Sequence, residues 1–216
     1  MRKTHNVLVF QITLQVFGCI VWFRNKKGKG AGTMDLELES MIIKTASTYS
    51  KMLSQFRPCK PGGEFLEQNL LTILAHEFLK ENPNGIAFSE IPFKSFIEGN
   101  NWNLRLDGFL ANSSTAYLVE TKGSLSLPNL LEEIEKDLDR IYNDAFKDSF
   151  RRMASEGDRG YTFPANIRGL ILSDCWRDEV ALSWENNSGL VCKYPRITSL
   201  SKRAVKVGDY GGYPYY

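Results

Sequence analysis

The spacing of hydrophobic and polar positions predicts that the main part of the chain begins with helices and continues with strands. Apolar residues recur at helical spacing over residues 36–56 and again over residues 64–80. Three shorter runs bounded by turn residues then have the composition of strands: "IAFSEIPF", "NWNLRLDGFLA" and "TAYLVETKG". The turn "NSS" separates the last two runs. A helical region followed by three strands is therefore predicted.

The second half of the chain returns to a helical pattern and then to a strand. The segment "LPNLLEEIEKDLDRIYNDAFKDSF" predicts one long amphipathic helix with an apolar face formed by Leu131, Ile134, Leu138, Ile141, Tyr142 and Ala145. After the loop "EGDRGYTFPAN", the run "IRGLILSD" is typical of a buried strand. The order helix, three strands, helix, strand predicts an α/β domain of two or three layers around a mixed sheet.

The tail and the N-terminal segment are harder to interpret from pattern alone. In the tail, "EVALSW" and "GLVCKYP" fit either a helix and a strand or a hairpin, and "DYGGYPYY" is typical of a disordered or loosely docked end. At the other end, residues 7–23 carry no charge and reach the short limit for a membrane span.

Two interpretations of residues 1–33 stay open. As an anchor, residues 7–23 would associate with the membrane, and the bases that follow would hold the domain in the cytoplasm, tethered to the inner face of the membrane. Met34 also begins a sequence that suits the start of a domain, so residues 1–33 fit a dispensable extension equally well. In both cases the domain covers residues 34–216, with its core at about 64–175.

Composition and charge narrow the functional classes. The chain has 216 residues, 43% of them hydrophobic and 24% charged, as expected for one globular domain. Six bases and no acid lie in residues 1–33, which leaves 21 bases against 25 acids elsewhere and argues against a strongly basic DNA-coating module. The four cysteines are widely separated and there are two histidines, so a zinc site is not expected. Free thiols in a reducing compartment are the simplest interpretation.

Acids and bases at the ends of two predicted strands are the first candidates for chemistry. Residues two apart on a strand share a face, so Glu120 and Lys122 point together, and Arg105 shares a face with Asp107. If the two strands are neighbours, Asp107 and Glu120 converge at one end of the sheet. Converging carboxylates repel each other, and a hard divalent cation such as Mg²⁺ or Mn²⁺ relieves that conflict.

A third acid lies in the apolar face of the helix predicted over residues 64–80. On a helical wheel, Glu67 falls between Leu74 and Phe78. A carboxylate in a buried face needs a partner, which a metal ion or the Lys122 ammonium would supply. The alternative is a glutamate that reaches solvent near the positive N-terminal end of the helix.

Asp107, followed after a short turn by Glu120-Thr121-Lys122, resembles the D…(D/E)-x-K signature of the PD-(D/E)xK phosphodiesterase superfamily, the restriction-endonuclease-like nucleases. Glu67 matches the helix glutamate that many members carry upstream, and the predicted order of elements is that of the family's core. One position differs, because Leu106 stands before Asp107 where the PD of the family name has proline. The resemblance covers about residues 64–175. It implies a restriction-endonuclease-like fold and metal-dependent hydrolysis of DNA, in a restriction, phage-defence or repair setting.

The resemblance also implies a role for each matching residue. Asp107 and Glu120 would hold one or two Mg²⁺ or Mn²⁺ ions, with the Thr121 carbonyl as a further ligand. Glu67 would complete the metal shell or orient its waters. Lys122 would orient the attacking water or help to deprotonate it, and would stabilise charge in the transition state.

Four residues near the motif are weaker candidates for substrate contact: Arg105, Ser124, Lys136 and Arg140. Lys136 and Arg140 follow Glu132 at intervals of four on the predicted helix. Solvated salt bridges are the plainer interpretation of that spacing.

Other functions stay open beside the nuclease. One is a nuclease-fold module that binds nucleic acid or a partner without cleaving anything. Another is an α/β scaffold in which Asp107, Glu120 and Lys122 form structural ion pairs. RNA in place of DNA, and assembly as a homodimer, also stay open.

Overall fold

The structure is a computed structural model, and it describes residues 17–22, 36–56, 67–94, 103–122, 127–156, 162–175, 177–189, 191–210 and 213–216. Within these ranges the elements follow in chain order as β1 Phe17–Trp22, α1 Leu36–Gln55, α2 Glu67–Glu81, β2 Ile86–Lys94, β3 Asn103–Ala111, β4 Thr115–Lys122, α3 Leu127–Tyr142, α4 Asp144–Glu156, β5 Asn166–Ser173, α5 Asp178–Asn186, α6 Pro195–Thr198, β6 Ser201–Lys206, β7 Gly208–Tyr210 and β8 Tyr213–Tyr215. A 3₁₀ turn, Val191–Lys193, precedes α6.

The main sheet is mixed and has the strand order β2-β3-β4-β5-β1-β6. Strands β2, β3 and β4 form an antiparallel meander, whereas β4 and β5 run parallel. A parallel neighbour requires a crossover, and α3 and α4 provide it. The α/β class and the mixed sheet predicted from the order of elements are confirmed.

Helices cover both faces of this sheet, because the side chains of its central strands alternate between two apolar layers. Tyr117 and Val119 of β4 pack in the layer under α1 and α2, and Leu118 packs in the opposite layer. The first layer includes Leu38, Ile42, Leu71, Leu74, Phe78, Leu110, Leu170 and Leu172. The second layer consists of one cluster under α4 and another under α3. The chain therefore folds as a three-layer α/β/α sandwich.

The single long helix predicted over residues 127–150 is wrong, because the structure divides it into α3 and α4 at Asn143. The Asn143 amide donates to the Arg140 carbonyl at 3.1 Å, and the Asn143 carbonyl accepts from Lys147 N at 3.2 Å. The first contact closes a 3₁₀-type turn, and the second starts the next helix. The break lets the two helices fill different clusters, α3 with Leu131, Ile134 and Leu138 and α4 with Phe146 and Phe150.

The tail is more ordered than its sequence indicates. The run "EVALSW" is helical, as one interpretation predicted, and "GLVCKYP" contains the 3₁₀ turn and the start of α6 in place of a strand. The prediction of a loose end is wrong, since β7 and β8 pair with each other. Backbone hydrogen bonds of 3.1 Å and 2.9 Å also join Cys175 and Tyr216. The contacts between Cys175 and Tyr216 link residues far apart in sequence, which local pattern does not reveal.

Part of the uncharged N-terminal run lies in the sheet. Residues 17–22 form β1, which pairs antiparallel with β5 on one side and β6 on the other. Residues 7–16 and residue 23, the remainder of that run, lie outside the described residues. Among the helices that the structure describes, none is long and apolar enough to cross a membrane.

Candidate functional site

Asp107 and Glu120 lie across from each other at the point where β3 and β4 separate. The last pair in the β3–β4 register is Gly108 with Val119, and one further step places Asp107 opposite Glu120 on the same face. From there β4 continues beside β5 to Lys122, while β3 continues beside β2. The structure thus brings the two acids together at the fork between the strands.

Asp107 is held by the strand opposite it. Its Oδ2 accepts hydrogen bonds from Thr121 N at 2.7 Å and from Thr121 Oγ1 at 3.0 Å. The carboxylate therefore takes the place of a backbone acceptor where the ladder ends. Hydrogen bonds to an ionised acceptor are short and strong, so they orient Asp107 with precision.

Glu120 is an acid in an environment that opposes its ionisation. It is 2% exposed, and the pKa of its carboxyl is raised to about 8, chiefly by burial. The charges of Asp107 and Asp137 contribute to this rise, while those of Arg140 and Lys122 oppose it. Arg140 Nη2 pairs directly with Glu120 Oε1. Near neutral pH a proton and a cation therefore compete for this carboxyl.

The Lys122 amine keeps its proton at neutral pH. Its Nζ lies 2.7 Å from Asp137 Oδ2, and the two side chains are only 19% and 13% exposed. Burial by itself would lower the pKa of the Lys122 ammonium. The ion pair with Asp137, together with the charges of Glu120 and Asp107, outweighs burial and raises that pKa. Lys122 is therefore a proton donor and a positive charge at neutral pH.

Helix α3 supplies the remaining members of the charge cluster. Arg140 Nη2 lies 3.0 Å from Asp137 Oδ1 and also contacts Glu120. The contacts thus run in a chain from Lys122 to Asp137, then to Arg140, then to Glu120. The packing of α3 against β4 and β5 brings these residues to the end of β4.

Asp137 was missed by the sequence analysis, although a signal for it exists. On the α3 wheel it lies at the edge of the buried face, next to Leu130 and Ile141. An acid at the border of an apolar helical face is a weaker form of the pattern that singled out Glu67. Such an acid needs a charged partner, and the structure gives it two.

For Glu67 the structure describes the position in α2 but not the side chain. Glu67 is the first residue of α2, and its side chain lies outside the described residues. One turn later Leu71 packs on Gly108, where an added Cβ would lie 2.5 Å from Leu71 Cδ1. Gly108 follows Asp107 directly, so the start of α2 lies over β3 next to the site, on the sheet face opposite α3.

The four weaker candidates for substrate contact differ in their surroundings. Arg105 is exposed and lies 3.5 Å from Glu90. Lys136 forms the solvated i,i+4 pair with Glu132 that the spacing indicated, at 2.7 Å. For Arg140 that interpretation is wrong, because its guanidinium turns inward to Glu120. Ser124 lies outside the described residues.

The donor set at the fork suits an oxygen-preferring cation. Within the described part of the chain, no three His, Cys, Asp or Glu side chains gather closely enough to hold a metal by themselves. Mg²⁺ is commonly bound through one or two carboxylates, with waters and substrate phosphate as the other ligands. Asp107 and Glu120 offer two such carboxylates, provided that Glu120 gives up its proton and its contact with Arg140. These residues fit the cation that the resemblance implies.

Comparison of the chain with models of known protein families, with curated proteins and with solved structures finds no match.

Proposed function

We propose that the chain is a Mg²⁺- or Mn²⁺-dependent nuclease with a restriction-endonuclease-like core, which hydrolyses DNA phosphodiester bonds at Asp107, Glu120 and Lys122. The observation that carries the proposal is the buried carboxyl of Glu120, placed across from a second carboxylate and beside a protonated lysine. Acids and bases with perturbed pKa values at one place are typical of functional sites. Restriction, phage defence and repair all fit this activity.

Asp107 and Glu120 would hold the metal, with the Thr121 carbonyl as a further ligand. When bound, a divalent cation polarises the scissile phosphate and lowers the pKa of its water. The hydrogen bonds from Thr121 already fix the orientation of Asp107. Glu120 would give up its proton, and Arg140 would move away from its oxygen.

Lys122 would stabilise negative charge on the phosphate and would orient the attacking water. The resemblance implies two roles for Lys122, and they need different protonation states. A general base must accept a proton, whereas an electrostatic stabiliser must keep one. Its raised pKa supports the second role. Its amine would therefore donate hydrogen bonds throughout the reaction.

The direct test is cleavage of supercoiled plasmid, single-stranded DNA and RNA with Mg²⁺ or Mn²⁺. We expect wild-type protein to cleave DNA and Lys122→Ala to lose roughly 10²–10³-fold in rate, the magnitude typical for removal of one group that stabilises the transition state. Lys51→Ala, which removes an exposed lysine from α1 on the opposite face of the sheet, is the control and should keep wild-type activity. Equal rates for wild type and Lys122→Ala would refute the catalytic role.

A second candidate follows from the contact between Arg140 and Glu120. This ion pair already gives the buried acid a partner, as expected for a module that binds nucleic acid without cleaving it. In that case no metal would support cleavage, and binding of DNA would weaken steeply with salt. The absence of both activities would leave a scaffold held by structural ion pairs.

A further inference from the structure

The two cations of the candidate site share one carboxylate. Asp137 Oδ2 lies 2.7 Å from Lys122 Nζ, and Asp137 Oδ1 lies 3.0 Å from Arg140 Nη2. Each carboxylate oxygen thus serves one base. Because the two bases pair with the two oxygens of one carboxylate, the position of Asp137 limits where both of them lie.

The position of Asp137 suits a supporting residue better than a ligand. It belongs to α3, whereas the two acids assigned to the metal lie on β3 and β4. Its side chain is 13% exposed, so its contacts with Lys122 and Arg140 are shielded from solvent. Shielded ion pairs are screened less by salt and hold their geometry better than exposed ones. The apolar residues of α3 fix its distance from β4, because Leu131, Ile134 and Leu138 are fully buried.

We propose that Asp137 is the positioning residue of this site, which holds the Lys122 amine toward the scissile phosphate. This inference rests on the proposed nuclease function. Asp137 acts through Lys122 and does not itself touch the metal or the substrate. Partners of this kind change activity by roughly 10–100-fold when they are removed.

Asp137→Asn tests the inference, because it removes the charge and keeps the shape of the side chain. Asp139→Asn is the matched control, since it removes an acid from the same helix where the side chain is 55% exposed and pairs with Arg196. The first measurement uses neither metal nor substrate. Lysines are acetylated with N-hydroxysuccinimide acetate and the rates at Lys122 and Lys136 are read by peptide mass spectrometry.

We expect Lys122 to react slowly in wild type and several-fold faster in Asp137→Asn. Lys136 should react equally in all variants, because it is exposed and pairs only with Glu132 among the described contacts. The second measurement is steady-state cleavage of DNA with Mn²⁺. A fall in kcat of roughly 10–100-fold with little change in KM is expected for Asp137→Asn, and wild-type values are expected for Asp139→Asn.

Each other outcome overturns the inference. If Lys122 reacts at the wild-type rate in Asp137→Asn, Asp137 does not hold the lysine. If Lys122 reacts faster but kcat is unchanged, the contact has no part in catalysis. If wild-type protein cleaves no nucleic acid, the proposed function fails, and faster labelling then shows a purely structural ion pair.

A second variant covers the case in which Asp137→Asn does not fold. Asp137→Glu keeps the charge and moves the carboxylate by one methylene group. We expect smaller changes in the same directions, with faster labelling of Lys122 and a lower kcat. Wild-type values in both measurements would refute the positioning role.

Discussion

At the scale of single residues, burial gives the Glu120 carboxyl an unusual pKa. The residue is 2% exposed and holds a proton more readily than in water. Its pKa is about 8, even though the charge of Arg140 offsets part of the effect of burial. A divalent cation carries twice the charge of Arg140, so under the proposed function it would compete with Arg140 for the carboxylate.

The raised pKa of Glu120 predicts a specific dependence of stability on pH in the metal-free protein. The ordinary pKa is 4.5, so between pH 4.5 and about 8 the folded state binds a proton that the unfolded state has released. The stabilisation from this proton is full below pH 4.5 and is lost as the pH rises to about 8. Glu120→Gln, which stays neutral, should lack this loss.

Urea unfolding of wild type and Glu120→Gln at several pH values between 5 and 8, with a chelator present, measures the effect. The difference in the free energy of unfolding between the two proteins isolates Glu120, because the other titrating groups are common to both. We expect wild type to lose stability relative to Glu120→Gln as the pH rises. A constant difference would contradict the burial of a proton at Glu120.

Arg140 and a metal ion should exclude each other at Glu120. We expect Arg140→Gln to bind Mn²⁺ several-fold more tightly than wild type, because no guanidinium must be displaced. The same change should lower the free energy of unfolding in the absence of metal by about 1–3 kcal/mol, because a buried carboxyl loses its partner. Isothermal titration calorimetry and urea unfolding measure the two effects.

The matched control is Arg151→Gln on α4. Arg151 forms an i,i+3 pair with Asp148, as Arg140 does with Asp137, but it is exposed and does not contact the site. Its replacement should change neither metal affinity nor stability by much. Weaker Mn²⁺ binding by Arg140→Gln would mean that the arginine supports the metal site.

At the scale of elements, one close contact sets the distance between α2 and β3. Leu71 lies so near Gly108 that an added Cβ would approach its Cδ1 to 2.5 Å. Because Gly108 follows Asp107, this contact also determines where the first acid of the site lies. The backbone of Gly108 does not adopt a positive φ, so the glycine is required here for space and not for backbone conformation.

Gly108→Ala should therefore destabilise the protein by about 1–3 kcal/mol, as overpacking of a core does. Addition of Leu71→Ala makes room for the new methyl group, so the double variant should lose less stability than the sum of the two single changes. Thermal or urea unfolding of the four proteins in this cycle gives the coupling energy. Strict additivity would show that α2 adjusts its position without strain.

Elements differed in how well local pattern predicted them. Helix α1 and the strands β2 to β5 lie close to their predicted bounds, because periodicity and turn residues act within each segment. The break at Asn143 was not predicted. It depends on two separate clusters, one around Leu138 and one around Phe150, and their separation is a property of the sheet.

At the scale of the whole molecule, the candidate site is a product of topology. The fork between β3 and β4 exists because β3 turns toward β2 while β4 stays with β5. The parallel pairing of β4 with β5 requires the crossover by α3 and α4, and that crossover brings Asp137 and Arg140 over the end of β4. The site is therefore assembled from three elements that follow one another along the chain, with Asp107 on β3, Glu120 and Lys122 on β4, and Asp137 and Arg140 on α3.

The sequence by itself determined the class of fold, the alternation of β4 between two layers, and the candidates Asp107, Glu120 and Lys122. Those features follow from local periodicity and from the spacing of charged residues on a strand. Only the tertiary structure decided which charges meet. It paired Arg140 with Glu120 and Lys122 with Asp137, docked Tyr216 beside Cys175, and placed β1 between β5 and β6. The reason is physical, since these contacts join segments whose local patterns carry no information about one another.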